Sequence, residues 1–392
     1  MRVRATGLID LGSRQGRTLS FSLLLLACVS SCGRPTARGV ASGPSMKRPV
    51  LFLVKEDGKY GYIDRSGRIV IAPQFRSASP FSEGRATVQP AGPGGTIGYI
   101  DPSGALVISP RFSSAQEFSE GMAAVTTGGI DGRLSFIDRS GTVMFSYRGL
   151  FSGRYSEGSP FSEGLASIHV NALLAPNMKM GFIDRTGRFA IKARFVQVLS
   201  FREGLAGAMS DNPHWGRWGF IDKRGAWVIK PQFDAVGSFS DGLAAVRFSR
   251  WNNSAYSCQW GYINKAGAMV IKPQRYMWAS GFSEGLANVM VEPSRHGFID
   301  KTGTMVIAPD FSRAGDFSEG LAPVRVRGKW GYVNRAGTLV IEPRFQMANG
   351  FHDGLAQVDG YAYINTKGEY VWKPRVGDGS TLGAKRASGG GQ

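Results

Sequence analysis

The 392 residues suffice for two or three ordinary domains or one long repeat array, and contents of 42% hydrophobic and 11% aromatic residues exclude global disorder. The 54 glycines follow no triplet period, which excludes collagen and implies many tight turns. Lys and Arg outnumber Asp and Glu 47 to 29, a net charge of +18 that either draws anionic partners or only keeps the chain soluble, while Cys28, Cys32 and Cys258 make neither a disulfide framework nor a zinc pattern.

The amino terminus reads as an address. Arg2, Arg4, Arg14 and Arg17 precede an apolar run from Leu19 to Val29. A helix of that length is too short for a hydrocarbon core of about 30 Å. A basic flank, a short apolar run and small residues are the pattern of a secretory signal. Val29-Ser30-Ser31-Cys32 resembles the lipobox of bacterial lipoproteins. That resemblance implies that Cys32 receives the lipid and becomes the first residue of the mature chain; Leu25-Leu26-Ala27-Cys28 fits less well because Leu26 is bulky. Gly33 rather than Asp after the Cys implies, by the same resemblance, an outer-membrane rather than an inner-membrane lipoprotein. A plain cleaved signal peptide with a fortuitous Cys is the alternative. The expected organisation is a signal peptide over 1–31, a flexible tether over 32–49, a repeat array over 50–374 and a disordered tail over 375–392.

Within the array one pattern recurs nine times. Its clearest blocks are YGYIDRSGRIVIAP (60–73), WGFIDKRGAWVIKP (218–231), WGYINKAGAMVIKP (260–273) and WGYVNRAGTLVIEP (330–343), and the copies stand 31 to 46 residues apart. Each unit predicts three strands: Leu-Ala-x-Val, then Trp-Gly-Tyr-Ile, then a Val-Ile run. The [DN]-[KR]-x-G between the second and third is a hairpin signal, because Asp or Asn folds onto the backbone and Gly takes a positive φ. Phe-Ser-Glu-Gly, as at 282–285 and 317–320, is the joint between units: a buried Phe anchor and a Gly that permits the reversal. The Gly of Trp-Gly-Tyr predicts a close backbone approach. The Pro after the Val-Ile run is expected to close the third strand.

These residues resemble the bacterial WG-repeat, or KWG-repeat, proteins, with Lys329-Trp330-Gly331 as the namesake triplet. Copies that depart carry Tyr60, Ile97, Leu134, Met180, His296 or Tyr361 in place of Trp, and the third also has Ser135 in place of Gly. The resemblance implies an envelope or surface setting and a binding role without a known reaction. The expected fold is all-β: about nine three-stranded β-meander repeats in an open, curved, solenoid-like array, with a β-propeller as the alternative. The open form is favoured because the array begins on a first strand and ends on a third, leaving none to share.

No constellation of catalytic residues emerges, and no cofactor or metal is expected. His169, His214, His296 and His352 stand in distant units. The two recurrent acids of each unit lie about twenty residues apart, which does not suit the six to eight oxygens of a calcium site. Eight equal acids are also unlike one asymmetric active site, so turn roles are expected. The bases after the hairpin Asp, such as Arg65, Lys223 and Arg335, form either an anion-binding ridge or turn tips beside their own Asp. The candidate binding residues are Trp215, Arg217, Arg250, Trp251 and Tyr256, which lie in long aromatic and basic insertions outside the repeat pattern. The function expected is a lipid-anchored, non-enzymatic binding scaffold of the bacterial cell envelope. Its partner is a protein or glycan, with anionic character favoured by the charge, and no nucleic acid is expected. The alternatives are an envelope enzyme acting on glycan or peptide and a ligand-free spacer.

Overall fold

The computed structural model describes residues 49–92, 94–128, 133–147, 159–170, 179–211, 216–249 and 258–375. The described residues contain strands and turns and no helix. Strands β1 (Phe52–Glu56), β2 (Lys59–Ile63) and β3 (Ile69–Ala78) form the first module as an antiparallel meander. The second is β4 (Ala86–Pro90), β5 (Ile97–Ile100) and β6 (Leu106–Ala115), and the third is β7 (Met122–Thr127), β8 (Leu134–Asp138) and β9 (Val143–Tyr147). Six more modules follow, from Ala166–Val170 to Tyr370–Trp372.

The glycine of the second strand is explained by the path of the third. Tyr60 pairs with Phe75 and Tyr62 with Ile71, so a step of two residues on β2 faces a step of four on β3. The excess is a bulge that carries the β3 backbone over Gly61. A Cβ at Gly61 would lie 2.5 Å from the Ile71 carbonyl oxygen, and the same clash recurs at 2.4 Å between Gly331 and Ile341. Pro73 sits inside this bulge, where no ladder donor is needed. The proline therefore does not close the strand, as expected, but lets it bend. Past the bulge β3 continues into the next module, with Ala78 opposite Val88, and this shared tail merges the first three modules into one nine-stranded sheet. Later in the chain short separate strands such as Ala235–Val236 and Arg313–Ala314 add to the next module's sheet without merging the modules into one sheet. The third module tests the rule. There Ser135 replaces Gly, and Leu134, Ser135 and Phe136 pair step for step with Tyr147, Ser146 and Phe145.

Each interior is shared between neighbours. Tyr62, Ile71 and Phe75 of the first module pack with Ala86, Val88 and Ile100 of the second. Tyr332, Ile341 and Phe345 pack likewise with Phe351, Ala356 and Ile364. The Phe of each joint meets the second-strand aromatic before it: Phe118 lies 5.0 Å from Tyr99, and Phe351 4.9 Å from Tyr332. Such pairs add about 0.5–1.5 kcal/mol beyond their burial.

The array is open in its strand pairing, as expected: no sheet mixes strands of the first and last modules. Its apolar packing nevertheless runs round to the start. Phe52, Val54 and Ile63 share a core with Leu355, Tyr363 and Trp372. The hairpin glycines follow the same order: Gly104 lies against Ile71 of the module before it, Gly368 against Ile341, and Gly67 of the first module against Val371 of the last. Nine modules thus share nine cores, and the contacts follow the cyclic order of the propeller alternative without a shared strand.

The bulge separates two kinds of glycine by stability. Gly331→Ala is expected to cost about 3 kcal/mol through overpacking against backbone. Gly320→Ala, at φ +79 with open space around its Cβ, should cost about 1–2 kcal/mol of backbone strain alone. Urea denaturation of the two variants measures the difference.

Candidate functional site

The Phe-Ser-Glu-Gly joint is a two-residue hairpin in which Ser82 and Arg85 exchange both backbone hydrogen bonds. Glu83 and Gly84 both have positive φ, +52 and +77, and the pair is positive at each of the other joints as well. Gly adopts this conformation freely; a Glu there is strained by about 1 kcal/mol. Its side chain supplies the reason. The Glu83 carboxylate accepts the N–H of Gly121, in the next joint, at 2.8 Å. Glu120 accepts from Gly164, Glu163 from Gly204, Glu203 from Gly242, Asp241 from Gly285, Glu284 from Gly320 and Glu319 from Gly354. A second line runs beside the first: the Ser82 hydroxyl donates to the Phe118 carbonyl, Ser119 to Phe161, Ser162 to Phe201, Ser240 to Phe282, Ser283 to Phe317 and Ser318 to Phe351.

The hairpin cations complete this ladder. Arg139 pairs with Glu83 at 2.7 Å, Lys223 with Glu163 at 3.1 Å and Lys265 with Glu203 at 3.1 Å. Lys301 stands 3.9 Å from Asp241, and Arg185 donates to the Glu120 carbonyl. In the same register Arg65 of the first module reaches Asp353 of the last joint at 2.5 Å. These bases therefore reach back to the joint that opens the preceding module, five of them to its acid and Arg185 to its carbonyl, rather than forming a free anionic-ligand ridge. Two charged neighbours keep to the hairpin's own Asp: Arg68 to Asp64 and Arg224 to Asp222.

The hairpin aspartates act on the backbone. Asp64 Oδ1 accepts the N–H groups of Ser66 and Arg68 at 2.9 and 3.1 Å, and Asp300 accepts those of Thr302 and Thr304. The Ser66 hydroxyl, with Arg68 and these N–H groups, outweighs desolvation and brings the Asp64 pKa down to about 2. Asp101, Asp138, Asp184 and Asp300 are lowered in the same way, first by the hydroxyl of Ser103, Ser140, Thr186 or Thr302. Burial pushes Glu83 and Glu163 up, but Arg139 and Lys223 outweigh it. Burial raises Glu117 and Asp316 above the ordinary range. His296 Nδ1 lies 3.1 Å from Asn288 Oδ1, and burial, helped by Arg313, lowers its pKa; burial alone lowers that of His169.

Of the residues proposed from sequence for binding, only Arg217 is described. It pairs with Asp234 at 2.9 Å and donates to the Gln232 carbonyl. Trp215, Arg250, Trp251 and Tyr256, together with Cys32, lie outside the described residues. Among the described residues no cluster of His, Cys, Asp or Glu could hold a metal ion. A cavity of ≈ 470 Å³ lies where the first module meets the last, lined by residues of the first and last joints. Sequence reasoning did not find it. The available signal was Lys47-Arg48-Pro49-Val50, which stands where Phe-Ser-Glu-Gly would precede the first module.

Among known families the chain matches the one described as "WG containing repeat" over residues 60–89, 97–129, 180–212, 218–249, 260–292, 297–330 and 330–359. A search of curated proteins finds no match. Solved structures with a similar path include a eukaryotic initiation factor, at TM-score 0.44 and 10% identity over 82% of this chain and 100% of that one. They also include BamB from Moraxella catarrhalis, at TM-score 0.40 and 11% identity over 81% of this chain and 93% of that one. The β-propeller domain of the Trilobed protease from Pyrococcus furiosus gives TM-score 0.37 and 9% identity over 66% of this chain and 91% of that one.

The lowered carboxylates set a pH dependence. A group whose folded pKa is depressed stabilises the fold above its unfolded pKa of about 4 and loses that contribution as pH falls through the folded value. The urea midpoint should therefore fall below about pH 4 and keep falling toward 2. Glu117 and Asp316 oppose the trend. Asn264 and Asn334 already make the same turn with an amide oxygen, accepting from the N–H groups two and four residues on. Asp→Asn at 64, 101, 138, 184 and 300 together should flatten the acid limb while leaving the neutral midpoint close to the parent's; urea titrations across pH check both.

Proposed function

The chain belongs to the WG-repeat family, and from that premise we propose that it is a non-enzymatic binding scaffold held on a bacterial envelope membrane by a lipid on Cys32. The observation that supports this reading is how the repeated polar residues are used. Hairpin aspartates cap their own turns, joint acids bond the next joint, and hairpin cations pair with those acids. The side chains that recur are thereby committed to holding neighbours together. What varies from module to module is the length and composition of the connections between first and second strands, and those are the parts free to differ with a partner. Two of the three longest, 210–217 and 250–257, carry Trp215, Trp251 and Tyr256 beside Arg217 and Arg250. Flat aromatic surfaces with guanidinium neighbours suit a protein or glycan partner, and the net charge of +18 favours an acidic one.

The anchor follows from the sequence before the array. One acyl chain gives only marginal membrane binding, whereas two or more hold a protein firmly at about 0.8 kcal/mol per buried CH₂. Residues 33–48 would then act as the tether between lipid and array.

Two measurements test this reading. Metabolic palmitate labelling in a bacterial host should mark the parent and not Cys32→Ala, and equal labelling of both would remove the anchor. Crosslinking in intact cells should capture a partner that the Trp215→Ala/Trp251→Ala variant loses; capture unchanged by that variant would leave the loops as surface decoration.

A further inference from the structure

The joint ladder has a beginning and an end, and they face each other. At the end, the joint of residues 351–354 carries Asp353, whose carboxylate takes Arg65 as the ladder requires. In sequence Val50, Pro49 and Arg48 align with the Gly, Glu and Ser of a joint, but among the described residues the Val50 N–H makes no hydrogen bond to Asp353. At the beginning, the Gly84 N–H and the Phe81 carbonyl occupy positions that in later joints receive the preceding acid and hydroxyl. Neither has a hydrogen-bond partner among the described residues. The cavity of ≈ 470 Å³ lies between these two ends, lined by Phe81 and Gly84 on one side, Gly350 and Asp353 on the other, and also by Pro49 and Leu53.

The apolar half of the missing joint is replaced. In the other modules the second residue after the joint glycine is Ala, as at Ala86, Ala244 and Ala356, but here the same place holds Phe52. Its ring lies 5.5 Å from Tyr363, the second-strand aromatic that otherwise has no joint Phe to meet. Among the described residues the polar half has no substitute. The gap therefore offers a backbone donor, a backbone carbonyl and a carboxylate, with the aromatic position already filled.

We propose that this gap is a docking site for a tight turn of a partner protein of the type hydroxyl residue, acid, glycine. The chain itself demonstrates the recognition at each regular joint. The partner's acid accepts from Gly84, its hydroxyl donates to the Phe81 carbonyl, and its glycine N–H donates to Asp353. Pro102 stands where the second module would supply the hairpin cation, so the incoming acid is held by the backbone donor without a paired base, and the complex is weak and reversible. The lining named here includes no residue of the long loops, so a test of one reading uses different residues from a test of the other.

A disulfide-constrained hairpin peptide with Ser-Glu-Gly at its turn provides the probe, fluorescently labelled and titrated onto the full chain. Saturable binding is expected, with Ser→Ala and Glu→Gln peptides each weaker by about tenfold, as for loss of a charge-assisted or buried hydrogen bond. A graft that restores the joint in cis (Lys47→Phe, Arg48→Ser, Pro49→Glu, Val50→Gly with Phe52→Ala) should melt at a higher temperature and no longer bind the peptide. Gln357→Trp, which fills the cavity from its lining, should also abolish binding and serves where the graft does not fold. The proposal is overturned by absence of saturable binding at millimolar peptide, or by equal affinity of the Ser→Ala and Glu→Gln peptides. It is also overturned by binding that survives Gln357→Trp, or by binding that appears only after residues 33–48 are removed, which would make the chain's own segment the occupant.

Discussion

The contact on which the array depends is a carboxylate in one turn accepting a backbone N–H of the next. Glutamate is a poor local choice for the first central position of such a turn, where Asn or Gly is preferred. The strain of about 1 kcal/mol is offset by a hydrogen bond to a charged acceptor, worth about 1.5–3 kcal/mol. It also carries information that an Asn could not: the charge recruits the Lys or Arg of the following module. One side chain thus fixes the spacing of two turns and the placement of one hairpin. Because each link reaches only the adjacent joint, 35 to 44 residues along the chain, the coupling is nearest-neighbour in kind. Stability then accumulates as module terms plus junction terms.

The same constraint explains why the second strand needs glycine. A strand that must serve two modules has to leave one sheet and enter the next. The bulge at Ile71 to Phe75 makes that departure, and the backbone displaced by it passes over Gly61. Where the bulge is absent, in the third module, Ser135 is accommodated and its hydroxyl bonds Ser146 at 2.8 Å. In the last module, whose described third strand ends at Trp372, Ala362 is tolerated at the glycine place. The glycine is therefore a marker of strand sharing rather than of the hairpin.

Much of this was legible in the sequence. Period, strand order, hairpin chemistry and the close approach at glycine all follow from local patterns, because each rests on residues within about ten positions of one another. What escaped involved residues far apart. The positive φ of Glu83 has no local signature, since its cause is Gly121. The pairing of Lys223 with Glu163 rather than Asp222 spans 60 positions and depends on how modules stack. The proline of the third strand was read as a stop because a missing donor suits both a strand end and a bulge. The candidate loop residues other than Arg217 lie in segments outside the described structure, and Arg217 is engaged by Asp234.

The meeting of the two ends is the instructive case. Its signals were substitutions, not motifs: Phe52 at an alanine place and Trp372 at an isoleucine place. Each is oversized for a regular junction, and overpacking a core normally costs about 1–3 kcal/mol. The larger side chains fit because the ninth junction lacks a joint phenylalanine, and they restore much of the volume it would have filled. The polar links were not restored in the same way. Arg65 and Asp353 keep the ion pair, and Tyr363 donates to the Leu53 carbonyl at 2.8 Å, but among the described residues the serine and glycine bonds of the ladder have no counterpart there. Apolar burial is non-directional and can be met by any side chain of suitable size. Hydrogen bonds are directional, so they require the missing turn itself. A junction closed by the first and left open in the second has a sealed interior and an unfilled polar edge, and that difference is what gives the cavity its chemistry.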